Sequence, residues 1–133
     1  MSLLFLLLFQ PQDPGFTLIE KSQGGPRDAV EKAITDAAAW AAFWKSYRGD
    51  KAVLPAVDFA KEDVILVAWG EKPSAGFTLE VVRVERDKAE TRVLVRRTKP
   101  EGAAASVLTH PSCIVRIPKI TGTLRFVDTP EKK

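Results

Sequence analysis

A chain of 133 residues has the length of one domain and can bury a sizeable core. Its 45% hydrophobic and 28% charged residues give an ordinary globular composition, which excludes a disordered or fibrous polypeptide. Lys and Arg exceed Asp and Glu by only three, and from Glu80 to Arg92 acids alternate with cations, so no basic face for nucleic acid is expected.

The first element is the hardest to assign. Ser2 to Phe9 is a continuous apolar run, too short for a membrane span of about 20 residues. It has no basic stretch before it and no small-residue cleavage site after it, where Gln10 to Gly15 follow, so a buried strand is favoured over a secretory signal. Taken alone, those flanks point to the cytoplasm. Asp13-Pro14-Gly15 is turn chemistry and Phe16 to Glu20 reads as a strand, which together suggest an opening hairpin over about 3–20. Gln23 to Pro26 breaks the chain. Ala29 to Ile34 suits either a short strand or a first helical turn.

Asp36 to Tyr47 predicts a helix: Thr35 or Asp36 can cap its free amides, and good helix formers follow. Ala37, Trp40, Trp44 and Tyr47 stack along one face, and Phe43 widens it. Beyond Gly49 the period changes. Val64 to Trp69 is an apolar run closed by Gly70, as in a strand buried on both faces. Phe77 to Val84 alternates until Val81-Val82, where a bulge is expected. Asp87 to Glu90 is a polar turn and Thr91 to Thr98 a partner strand. Pro100 to Ala105 is a loop, Cys113 to Ile117 and Gly122 to Val127 are the last strands, and a charged tail ends the chain. The fold class is therefore mainly β (α+β). Short turns favour antiparallel pairing in a sandwich or partly closed barrel of six to eight strands, with one helix, about 36–47, packed across an open end.

Catalytic chemistry has little to work with. One cysteine, Cys113, excludes an internal disulfide and a cysteine-only metal site. His110 is close to Ser112 and Cys113 in sequence, but a strand entrance puts neighbours on opposite pleats, which argues against a Cys–His pair. Cys113 reads as a small buried apolar side chain. No zinc spacing is present, and Asp58, Glu62 and Asp63 read as a solvated turn before a strand, with Asp58 suited to a cap. Gly70 and Gly76 join two strands, so their loop lacks the helix N-terminus of a phosphate cradle. No cofactor or metal is expected. The loop Lys72-Pro73-Ser74-Ala75-Gly76-Phe77 remains the most distinctive surface feature, a proline and an aromatic at a hairpin tip, as binding loops often have. A conformational explanation competes: Gly76 supplies a special backbone angle and Phe77 begins a buried strand.

Val57-Asp58-Phe59, the strand Val64 to Trp69, Gly70 to Phe77, a charged strand, and Thr109-His110-Pro111 leading to Val115-Arg116-Ile117-Pro118 follow one another in an order that resembles the PrcB C-terminal domain family. The helix with Trp40 and Trp44 fits the same order, so the resemblance covers about 29–127 of a single domain spanning 1–133. The family's usual Thr-Gly-Gly-Tyr is Ser74-Ala75-Gly76-Phe77 here, and its Pro-Tyr is Pro111-Ser112. The resemblance implies a bacterial protein, exported or envelope-associated, that is not an enzyme and binds or stabilises a protein partner, a protease or envelope component. It transfers no catalytic residue. A second likeness is confined to one turn: Pro73 to Phe77 is similar to the Pro-Thr-Thr-Gly-Tyr loop of chagasin-type protease inhibitors, which have an immunoglobulin-like fold, and implies a wedge-like inhibitor as the alternative. On either reading the expected contact residues are Lys72, Pro73, Ser74, Gly76 and Phe77, joined on the first by Thr109, His110 and Pro111.

Overall fold

Alternating and doubly apolar strands sort the chain into two sheets. The computed structural model describes residues 13–130. Among them, β1 (Thr17–Ser22) and β2 (Val30–Ile34) precede helix α1 (Ala37–Arg48). After it come β3 (Glu62–Ala68), β4 (Thr78–Arg86), β5 (Glu90–Thr98), β6 (Ser112–Pro118) and β7 (Thr123–Thr129). Four strands form a fully antiparallel sheet in the order β1-β6-β3-β2. The other sheet has the order β4-β5-β7. The segment Ala29 to Ile34, open to two readings in the sequence, is strand β2. The expected strand at 2–9, and with it the first arm of the opening hairpin, lies outside the described residues.

β3 explains the layering. Ile65 and Val67 face a core between the sheets, where they meet Val81, Val93, Val95, Val115 and Ile117. Val64 and Leu66, on the opposite pleat, join Ile34, Ile114, Trp40 and Trp44 in a second core. A strand apolar on both faces needs cover on both, and α1 supplies the outer one. This corrects one expectation: the helix lies across the outer face of the four-stranded sheet and does not plug an open end of a barrel. Among the described residues no barrel closes, and they form a sandwich with a helical third layer.

Local chemistry sets the element ends. The Asp36 carboxylate accepts a 2.7 Å bond from the Ala39 amide at the helix start, and Gly49, at φ +95°, donates to Lys45 O to end it. The bulge falls where the alternation slips: Val81 pairs with Val95, but Arg83 pairs with Leu94. β5 and β7 run parallel, against the antiparallel expectation. Between them the chain crosses to the other sheet, forms β6 and returns, which is the long crossover a parallel pair requires.

Candidate interaction site

At the exit of β3, Gly70 takes φ +87° and turns the chain into the loop 71–77. The loop is pinned from the other side by the approach to β6. Lys72 N donates to Thr109 O at 2.8 Å, Thr109 N donates to Lys72 O at 3.0 Å, and the Thr109 hydroxyl donates to Ser74 O at 3.0 Å. Ala75 N donates to Ala105 O at 3.0 Å. Two segments 30 or more residues apart thus form one continuous end of the sandwich. All eight residues singled out in the sequence belong to it.

They do not share one role. Thr109 and Pro111 are buried: Thr109 ties the loops together, and Pro111 O accepts from Trp69 N at 3.0 Å. Pro73 and Gly76 are exposed, while Lys72, Ser74, Phe77 and His110 are half-buried. Gly76 has φ +94°, and a Cβ there would sit 2.6 Å from Pro100 Cβ, so its first requirement is conformational. Phe77 sets its ring edge-on to Trp69, with centroids 5.5 Å apart and planes at 73°. It buttresses the loop from below and does not protrude from it.

His110 is held by its backbone, its N donating to Gln23 O at 2.6 Å and its O accepting from Gly25 N at 2.7 Å. Its Nε2 lies 3.2 Å from Glu71 Oε1. Cys113 lies between the sheets, and burial pushes its thiol pKa up, so the two residues occupy different environments. Among the described residues no group of three His, Cys, Asp or Glu side chains could hold a metal ion. Asp58 closes its own turn through Ala60 N, and Asp63 is buried against Lys119 Nζ and Ile120 N.

Three residues of this end escape the sequence reading. Val107 and Leu108 are 51% and 61% exposed, beside Thr109. Trp69 is half-buried, with Lys72 Nζ 4.7 Å and Arg97 Cζ 6.0 Å from its ring centroid. An aromatic closing an apolar strand looks like core, and two apolar residues in an alanine-rich stretch look like the start of a strand. Only the fold shows Val107 and Leu108 exposed and Trp69 half-buried at the margin of the inter-sheet core.

The order of strands and pinned loops has a counterpart among known families. A family model described as PrcB C-terminal matches residues 64–118, from the first core residue of β3 to the end of β6. The segment is PrcB C-terminal-like. Both loops of the candidate site lie within this PrcB-like segment, whereas α1, β2 and β7, which the sequence resemblance also took in, lie outside it. No curated protein and no solved structure matches the chain. The chagasin likeness thus stands on its one turn. Among the described residues no helix is long and apolar enough to cross a membrane.

Proposed function

We propose that this domain is a non-catalytic interaction module that binds a protease or envelope protein through the end of the sandwich where Lys72–Phe77 meets the segment 105–111. The reciprocal backbone bonds between Lys72 and Thr109, which hold Pro73, Val107 and Leu108 on one rigid rim, carry the reading. A rim fixed before binding loses little conformational entropy on contact, and burying one aliphatic side chain is worth about 1.5–3 kcal/mol. The PrcB C-terminal match, a family named for a non-catalytic subunit, supports the same reading. Export to the envelope belongs to this proposal and is checked by the intact mass of the endogenous protein.

The test is capture from envelope extract of the native organism, using the whole chain and a Pro73→Ala, Val107→Asp, Leu108→Asp variant. Phe77 is left intact because it supports Trp69. The variant should lose roughly tenfold or more of its captured partner with an unchanged melting temperature. Equal capture removes this face from the interface. An associated protease that keeps its activity fits a binding subunit, whereas dose-dependent inhibition assigns the Pro73–Phe77 turn the role of a wedge.

A further inference from the structure

Between β2 and β7, the edge strands of the two sheets among the described residues, a cavity of about 420 Å³ opens onto Trp69. Its lining combines the apolar Ala29, Val30, Ala68 and Trp69 with Glu31, Arg97 and Asp128. Arg97 crosses it, bonding Glu31 on β2 at 3.2 Å and Asp128 on β7. Both carboxylates are therefore matched. Lys72 is the exception: its ammonium rests over the Trp69 ring and has no carboxylate partner among the described residues. A cation–π contact at an exposed site is weak, and the three ammonium donors keep capacity for an anion. The Lys72 backbone is fixed by its two bonds to Thr109, so this charge stands on a rigid base.

We propose that the Trp69 groove receives an extended acidic segment of a protein partner, with an apolar side chain on the indole and a neighbouring carboxylate on Lys72. The inference rests on the reading of this end as a contact surface and adds the chemistry of what enters it. An acidic side chain meets the unmatched cation, while Arg97 already engages the two carboxylates that could repel it. A basic segment meets Lys72 and Arg97, and the two carboxylates of the lining, Glu31 and Asp128, are already held by Arg97. Among the described residues β2 and β7 each have a strand neighbour on one side only, which leaves backbone amides and carbonyls for an extended chain to follow.

The experiment titrates the whole chain with acetyl-Val-Phe-Asp-Asp-Val-amide and with its Asn and Lys counterparts, following the indole N–H resonance of Trp69, assigned with Trp69→Phe. The Asp peptide should displace this resonance saturably, and added salt should weaken it. Lys72→Gln, with an unchanged melting temperature, and the Asn peptide should each weaken binding by roughly three- to tenfold. Equal affinity for the Asn peptide or by Lys72→Gln, preference for the Lys peptide, or no displacement at millimolar peptide overturns the proposal. Capture lost in the Pro73, Val107, Leu108 variant without any peptide response removes the groove and leaves the contact face standing. A peptide response without a captured partner does the reverse.

Discussion

Cys113 sits 1% exposed between the sheets, opposite Val67 on β3 and Lys21 on β1. Its placement was legible because alternate residues of a strand point to opposite faces, and Ser112 and Ile114 take the other one. Burial raises the pKa of the thiol, and the thiolate is the reactive form. In the native protein iodoacetamide should therefore label Cys113 only through unfolding, so its rate measured by mass should rise with denaturant in step with the loss of structure. Fast labelling under native conditions contradicts this. The sign for stability follows: a thiol that ionises more readily in the unfolded chain contributes stability below its unfolded pKa and loses it as pH rises toward the folded one. Gly76 was legible only in half. Turn chemistry announced its special backbone angle, but the Pro100 ring that forbids a Cβ there follows β5, which the pairing of Thr78 with Thr98 brings alongside. Val107 and Leu108 were not legible, because exposure of an apolar pair depends on what the fold leaves uncovered.

The helix was read correctly as an element and misplaced as a layer. Residues three and four apart put Trp40, Phe43, Trp44 and Tyr47 on one face, and the rings contact one another at centroid distances of 5.3–6.0 Å. What that face covers was not written in α1 itself. It follows from Val64, Leu66 and Ile114 forming an outer apolar surface on the four-stranded sheet, which needs the register of β3 against β6. Trp40 is the centre of this contact, 1% exposed, and its Nε1 donates to Pro55 O at 2.9 Å, which ties the returning loop to the helix. Trp40→Ala should cost about 3–5 kcal/mol of unfolding free energy, combining lost burial with a cavity. Trp40→Phe should cost less but still leave the Pro55 carbonyl without its donor, about 1–3 kcal/mol. Asp36→Ala removes the cap alone and should cost about 1 kcal/mol. Urea unfolding of the three variants checks the order; a Trp40→Ala cost no greater than that of Asp36→Ala would show that the helix does not anchor the outer core.

At the scale of the molecule, two ion-paired seams among the described residues join the edges of the two sheets. On one side Lys21 of β1 bonds Glu80 of β4 at 3.2 Å, and Arg96 of β5 bonds the same carboxylate at 2.7 Å. On the other side Arg97 of β5 links Glu31 of β2 and Asp128 of β7. Neither seam was legible, because each joins strands whose neighbours are set by the crossing of the chain between sheets, the same crossing that makes β5 and β7 parallel. The first seam carries a pH signature. Burial pushes the Glu80 carboxyl up, but the bonds from Lys21 and Arg96 outweigh it and hold its pKa below the ordinary glutamate value. A carboxyl with a depressed folded pKa contributes stability that is complete above its unfolded pKa and disappears as pH falls through the folded one. The melting temperature should thus decline on the acid side of the ordinary glutamate pKa, and Glu80→Gln should flatten that decline. Glu80 is 35% exposed, so solvent screening keeps its share to at most about 1 kcal/mol at neutral pH. Lys21→Met should reproduce part of the flattening, since it removes one of the two cations that depress the carboxyl. If Glu80→Gln melts in parallel with the parent protein from neutral to acid pH, the β1–β4 side is held by packing alone, and the acid response originates in other carboxylates.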